Sequence, residues 1–323
     1  MKKIVPALLG ITLLVIFIYS LLVSKFNYQI EYEQLDEYNY HFVMIGKEKI
    51  RKNWKDIYEG ASTYAKNNKI ALEMLINESV NDSKEIDFFD MAVDARVDGI
   101  VVNGYDKEEM VKIAKKAQEY EIPVIFINDE SKVSPRTAYI GVNNYLAGQM
   151  AVDLLKKYHK GQLNIGLVME KKDTIQNDIR HESILLAINE DPNLRWASTV
   201  SSVDSKIQLY NDIKKMLVDN PKINAIIGTS ALHGEVIGEV LVDLNLVGKV
   251  TVIGFGDYPL TIRYIQNGVI DATINVNGQE IGKNAMEVLL KEKKGDLVED
   301  AYYMPLEVID ITKFSKMKVI RDE

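Results

Sequence analysis

From Tyr40 onwards, short runs of consecutive apolar residues alternate with longer stretches in which apolar side chains return every third or fourth position. This rhythm constrains the fold more than any other feature of the chain. A run buried on both faces suits a parallel strand, and a stretch with one apolar face suits the helix that covers it. Residues 41–46 read as a buried strand, 54–67 as a helix with Ile57, Ala61, Tyr64 and Ala65 on one face, and 70–76 as the next strand, with a helix following to Ala95. Residues 99–103 read as a strand, 107–120 as a helix and 122–127 as a strand. The rhythm then starts again, with strands at 164–168, 225–228, 250–255 and 270–274 and helices at 180–189, 206–217, 235–244, 259–266 and 282–290. Repeated β-α-β units predict an α/β fold of two doubly wound parallel-sheet lobes in tandem. In open α/β sheets ligands sit beyond the carboxyl ends of the strands. Two such lobes facing each other therefore predict a ligand cleft walled by strand-end loops.

The length, 323 residues, agrees with about two domains, and 47% apolar residues suffice for two cores. A net charge of −8 argues against nucleic acid, which needs a concentrated basic face. The chain has no cysteine, which excludes disulfides, thiolate metal sites, cysteine nucleophiles and lipid anchors on cysteine. After Lys2 and Lys3, residues 4–24 carry no charge. About 20 apolar residues span the roughly 30 Å hydrocarbon core of a membrane. No A-x-A-like cleavage pattern precedes Lys25, so an uncleaved transmembrane helix is expected in 1–25. The leading lysines favour a cytoplasmic amino terminus. The rest of the chain is then extracytoplasmic on a single-pass membrane protein, with 26–38, rich in Tyr, Glu and Gln, as a stalk. Residues 39–141 with 276–301 are assigned to an N-terminal lobe, and 142–275 with 302–323 to a C-terminal lobe.

Catalytic signatures are missing. There is no G-x-x-x-x-G-K-[ST] phosphate loop, no H-E-x-x-H helix, no G-x-S-x-G elbow and no D-x-[DN]-x-[DN]-G calcium loop. Gly254-Phe255-Gly256 begins a G-x-G, but no third glycine opens a helix after it. His41, His159, His181 and His233 lack metal-ligand spacing. Binding without a cofactor or metal is expected, rather than catalysis.

Several segments resemble the type I periplasmic-binding-protein family, the ribose- and xylose-binding group whose fold is shared with sugar-responsive repressors. Val97-Asp98-Gly99-Ile100-Val101-Val102 is similar to the family's g-V-D-G-I-I-I strand, and Glu121-Ile122-Pro123-Val124-Ile125 to its g-I-P-V-V strand. Tyr139-Ile140-Gly141-Val142-Asn143-Asn144 with Gly148 resembles y-V-g-x-D-N…G. Val252-Ile253-Gly254-Phe255 resembles v-I-G-F-D, and Asp271-Ala272-Thr273-Ile274 with Ile281-Gly282 resembles the late A-T-I…G segment. The similarity runs in family order from Tyr40 to Leu290. The repressor branch carries a helix-turn-helix at its amino terminus, where this chain has an apolar segment, so no DNA binding is implied.

The resemblance implies a pocket for a monosaccharide, in which aromatic rings stack on apolar CH faces while Asp, Asn and Arg bridge hydroxyls. It places Trp54 as a stacking aromatic at the first strand-to-helix loop, with Lys47 and Arg51 as donors in the same loop. Asn103 and Tyr105 follow the third strand, and Asn128 and Asp129 end the fourth, where the family has Asp then Arg. Arg180 matches the second-lobe arginine that precedes a helix and forks onto hydroxyls, with His181 a bystander beside it. Thr229-Ser230-Ala231 replaces an Asn-Asp turn, leaving Ser230 as a candidate and His233 as its possible substitute. Gly256 stands where the pocket aspartate is usual, with Asp257 one place later. Val276 stands at a late glutamine, flanked by Asn275 and Asn277. The similarity further implies an extracytoplasmic sugar sensor, xylose being the favoured pentose, that closes on its ligand and signals through a transmembrane partner such as a two-component histidine kinase. The alternative is the receptor of an ABC sugar importer, with a permease as partner. An enzyme on this scaffold is the least favoured reading.

Overall fold

The computed structural model describes residues 17–20, 38–47, 52–77, 83–131, 133–170, 174–202 and 205–314. The anchor expected in 1–25 and the stalk expected in 26–38 lie outside the described residues, save for 17–20, which are helical, and Tyr38. Among the described residues no helix is long and apolar enough to cross a membrane.

Two six-stranded sheets form the two lobes. The first contains β1 (Tyr40–Lys47), β2 (Ile70–Asn77), β3 (Gly99–Asn103), β4 (Val124–Ile127), β5 (Ala138–Gly141) and β11 (Ala301–Tyr303), in the order β11-β5-β4-β3-β1-β2, all parallel. The second contains β6 (Leu163–Glu170), β7 (Leu194–Ser202), β8 (Ala225–Gly228), β9 (Thr251–Phe255), β10 (Ala272–Asn275) and β12 (Glu307–Asp310), in the order β12-β10-β9-β8-β6-β7. Here β12 alone runs antiparallel, against β10. Every residue of β3, β4, β5, β8 and β9 is buried, as the unbroken apolar runs require of strands covered on both faces.

Helices α1 (Lys52–Asn67), α2 (Ser83–Asp94), α3 (Glu108–Glu119) and α9 (Gly278–Lys293) belong to the first lobe. Helices α4 (Asn144–Tyr158), α5 (Ile175–Asn189), α6 (Lys206–Asp219), α7 (Ala231–Asp243) and α8 (Pro259–Gln266) belong to the second. Helices α1 and α9 touch backbone to backbone, because a Cβ on Gly60 would collide with the Gln279 carbonyl and one on Gly282 with the Ile57 carbonyl. Each sheet is sandwiched between two apolar clusters: Phe42, Met44, Ile57 and Leu289 lie on one side of the first sheet, with Val43, Ile45, Phe89 and Phe126 on the other.

Among the described residues the chain crosses between lobes three times, after β5, after β10 and after β11. The first two crossings run straight into asparagine-capped helices. Asn143 Oδ1 accepts from the Leu146 N–H at 3.1 Å to start α4, and Asn277 Oδ1 accepts from the Gln279 N–H at 3.0 Å to start α9. The third falls between Tyr303 and Glu307, since Tyr302 and Tyr303 pair with Ile140 and Gly141 of the first sheet.

Candidate functional site

The carboxyl ends of both sheets supply the site. On the first lobe, Asn103 is the last residue of β3 and Tyr105 follows it, while Asn128 and Asp129 follow β4. Asn128 adopts φ +59, a conformation asparagine tolerates, and its carbonyl accepts the Tyr139 hydroxyl at 3.0 Å. The turn is thereby pinned to β5 and fixes where Asp129 begins. Lys47 ends β1, its backbone in register with Asn77; its side chain and the whole of Arg51 lie outside the described residues.

On the second lobe, Arg180 lies within α5 rather than ahead of it. The helix begins earlier than the apolar spacing suggested because the Thr174 hydroxyl caps it, accepting from the Asn177 N–H at 3.3 Å. The Arg180 guanidinium is gripped on three sides. Nε donates to Asn144 Oδ1 at 2.8 Å, Nη2 donates to the same oxygen, and Nη1 donates to the Thr229 carbonyl at 2.5 Å. Its central carbon lies 4.7 Å from the centroid of the Phe255 ring. Three of its five N–H groups are thus engaged by described residues. Gly148 permits this assembly, since a Cβ there would lie 2.7 Å from the Arg180 carbonyl and hold α4 and α5 apart.

Burial lowers the Arg180 pKa from its ordinary value, while the charges of Glu170 and of Asp129 oppose that shift. An arginine so held keeps its charge. Burial raises the phenol pKa of Tyr105, with the Glu85 charge behind it, and burial raises that of Tyr139, with the Asp129 charge behind it. Between the lobes, Gln176 donates through Nε2 to Glu130 Oε2 at 3.5 Å and accepts through Oε1 from Asn144 Nδ2 at 2.6 Å. Arg136 donates to Glu130 at 3.0 Å through Nε and to Asp300 Oδ1 at 2.8 Å through Nη1, steadying the first-lobe end of that link.

The remaining expected residues have other duties. Trp54 is 5% exposed and packs in the first-lobe core, its ring in the space left by Gly46, where a Cβ would lie 2.5 Å away. Tyr105 is 8% exposed, with its hydroxyl given to Glu85 Oε2 at 2.8 Å, so its ring presents little stacking face. Ser230 caps α7, where His233 Nδ1 accepts from the Ser230 N–H at 3.2 Å. Burial pushes the His233 pKa down to about 3, with the Arg180 charge adding to the effect, so this ring is a neutral structural acceptor. Gly256 has φ +78, and a Cβ there would lie 2.6 Å from Ala231 Cβ, which is why this turn holds glycine and leaves the carboxylate to Asp257. Asn275 ends β10 opposite Glu307, Val276 packs on the first-lobe core, and Asn277 is spent on its helix cap. Asn144, Gln176 and Glu85 enter as polar residues that sequence spacing did not single out. Asn144 sits inside the Asn143-Asn144 motif, but as a neighbour of the cap rather than as a holder of Arg180.

Residues 42–297 match the periplasmic binding protein domain, most of the chain and both lobes. The chain belongs to the type I periplasmic-binding-protein family. Members of this family bind solutes, and the domain points to an extracytoplasmic location. Among relatives, the ribose import binding protein RbsB of Salmonella typhimurium is 25% identical over 213 residues, 65% of this chain and 70% of RbsB. Among solved structures, the XylFII–LytSN complex matches with 30% identity and a TM-score of 0.76, covering 84% of this chain and 98% of the other. GanP, a glucose-galactose binding protein from Geobacillus stearothermophilus, matches with 27% identity and a TM-score of 0.79 over 84% and 98% of the two chains.

Proposed function

We propose that this member of the family is an extracytoplasmic monosaccharide-binding sensor, with D-xylose as the favoured sugar, which closes on its ligand and signals through a transmembrane partner such as a two-component histidine kinase. The observation that carries the reading is the grip on Arg180, whose guanidinium is held at the strand ends of the second lobe by Asn144 and the Thr229 carbonyl. Asp129, just past the end of β4 in the first lobe, is the carboxylate proposed to face it. A vicinal pair of hydroxyls meets both, accepting from the arginine fork and donating to the carboxylate. The ligand then bonds both lobes at once and favours the closed arrangement by its differential affinity for it. Asn103, Asn128, Asp257, Asn275 and, at the first strand end, Lys47 and Arg51 are proposed to complete the polar rim. Trp54, Tyr105, Ser230 and Asn277 are retained as candidates whose part is to hold that rim in place.

Similarity to RbsB and GanP supports a sugar as the solute, and similarity to XylFII, solved in complex with LytSN, supports a protein partner. The uncharged segment 4–24 supports a membrane anchor, with the lobes outside the cytoplasm. Binding without turnover, with neither cofactor nor metal, is part of the reading.

Thermal melting against a panel of monosaccharides tests it. A sugar at about 100 times its Kd stabilises the native state by roughly 2.7 kcal/mol. A shift with xylose that is lost in Arg180→Ala supports class and ligand together, and no shift with any sugar overturns the reading. Similarity to an import binding protein favours a second role, as receptor of an ABC importer. Purification from membranes separates the two: a kinase retained with the protein supports sensing, and a permease with its ATPase supports import.

A further inference from the structure

Beneath the first-lobe wall lies a chain of four buried polar side chains, Asn77, Glu85, Tyr105 and Asn103. Asn77 ends β2, Glu85 sits in the first turn of α2, and Asn103 ends β3. Asn77 Nδ2 donates to Glu85 Oε1 at 3.4 Å, the Tyr105 hydroxyl donates to Glu85 Oε2 at 2.8 Å, and Asn103 Nδ2 donates to the Tyr105 oxygen at 3.0 Å. The far end of the chain is an acceptor, Asn103 Oδ1, which is buried and has no hydrogen-bond partner. Asn103 itself is 3% exposed.

We infer that Glu85 fixes the hydrogen-bonding polarity of Asn103 through Tyr105, and so makes the first-lobe wall selective for a ligand hydroxyl that donates its proton to Asn103 Oδ1. The argument is one of proton counting. A carboxylate only accepts. The phenol has a single proton and gives it to Glu85, so its oxygen faces Asn103 as an acceptor. The amide must then turn its NH2 group to Tyr105, and its carbonyl oxygen is left over. A buried carbonyl without a partner is unfavourable, and a ligand or water proton supplied to it removes the penalty. Burial, and behind it the Glu85 charge, hold the Tyr105 phenol protonated. Asp129, on the neighbouring strand end, is also an acceptor, whereas Arg180 on the other lobe is a donor. Asn103 Oδ1 and the Arg180 guanidinium thus differ in polarity, and a hydroxyl group, which donates and accepts at once, is the chemistry that suits both. Glu85 is a positioning residue here, acting through Tyr105 and Asn103.

The inference rests on the reading of the cleft as a monosaccharide site, and its test keeps the two apart. The probes are the monosaccharide giving the largest thermal shift and its monofluoro-deoxy derivatives, in which fluorine accepts weakly but cannot donate. Calorimetry on the full chain should find one ring position at which fluorine weakens binding by about tenfold. In Glu85→Gln the side-chain NH2 can donate to the Tyr105 oxygen, releasing the phenol proton for Asn103 Oδ1. That discrimination should then fall to about twofold or less. Tyr105→Phe cuts the relay and should relax it as well, which keeps the idea testable if Glu85→Gln fails to fold. A folded Glu85→Gln or Tyr105→Phe that weakens parent and fluoro sugars by the same factor overturns the inference while leaving the sugar reading intact. A protein that binds no monosaccharide overturns the sugar reading, and the inference with it.

Discussion

Asn144 holds Arg180 by a single oxygen: its Oδ1 accepts from both Nε, at 2.8 Å, and Nη2 of the guanidinium. Its own NH2 group is anchored on Gln176 Oε1 at 2.6 Å and on the Val142 carbonyl at 3.3 Å, so the amide cannot turn over without losing all of these bonds. A long, flexible side chain is thereby held in place, which under the proposed reading removes an ordering cost from binding.

Asn144→Ala should therefore weaken sugar binding by about tenfold while costing the protein roughly 1–2 kcal/mol of stability. Asn144→Asp keeps the acceptor for Arg180 but loses the donor to Gln176, and should bind better than Asn144→Ala. Calorimetry and urea unfolding on the same preparations check both. Equal affinity of Asn144→Ala and the parent would mean that Arg180 needs no holder.

Restoring an aspartate at the usual family position should do harm. At φ +78 a non-glycine residue is strained, and its Cβ would lie 2.6 Å from Ala231 Cβ at the start of α7. Gly256→Asp is expected to cost about 1–3 kcal/mol, read as a lower urea midpoint at unchanged slope. Ligand affinity should fall too, because the turn that carries Asp257 must move. Stability at or above that of the parent would show that the turn accommodates a side chain.

Acid should destabilise the second lobe through His233. Burial, with the charge of Arg180 behind it, pushes the folded-state pKa down to about 3 from an ordinary value of 6.5. Between those values the unfolded chain binds a proton that the folded one refuses. Stability is accordingly unaffected by this group above about pH 6.5 and falls as pH drops towards 3, by up to about 1.4 kcal/mol per pH unit. Charging the ring also removes the Nδ1 acceptor of the Ser230 N–H. Urea midpoints from pH 7 to pH 4 should fall more steeply for the parent than for His233→Gln. Parallel curves would mean that the folded state protonates this ring as easily as the unfolded one.

Of the strands buried on both faces, β3, β4, β8 and β9 are legible because an apolar run such as Ile100-Val101-Val102 leaves no other way to stay out of water, whereas β5, four residues long, and helix α4 after it are not read from the spacing. The spacing misses β7, an edge strand in which Leu194 and Val200 are buried but Trp196 is 55% exposed. It also misses β11 and β12, whose Tyr303 and Glu307 are exposed at the sheet edges. Helix starts came out late at α5, α7 and α9, since the first turn is set by the capping residues Thr174, Ser230 and Asn277 rather than by an apolar face. At the site, Arg180 and Asp129 are legible through the family resemblance, which expects polar residues after the fourth strand and an arginine by a second-lobe helix. Asn144, Gln176 and Glu85 are not, because each works on another side chain that the fold alone brings near. Glu85 in particular reads as an ordinary acidic residue of a helix first turn, and only its full burial separates it from one.

The link between Gln176 and Glu130 joins a helix of the second lobe to a strand-end loop of the first, at 3.5 Å. Under the proposed closure the contact belongs to the closed arrangement, since lobes that part would lose it. Gln176→Glu leaves an acceptor for Asn144 but sets a second negative charge against Glu130. Like charges at that separation repel by about 1 kcal/mol in water and more at a partly buried site. Sugar binding in Gln176→Glu should weaken by roughly tenfold, because the closed form is penalised and the open form is not. Adding Glu130→Gln removes the repulsion and should recover most of the affinity, although Arg136 then loses a charged partner. Recovery in the double variant identifies the contact as a latch that the ligand closes. An affinity of Gln176→Glu equal to the parent's would place the closing force elsewhere in the cleft.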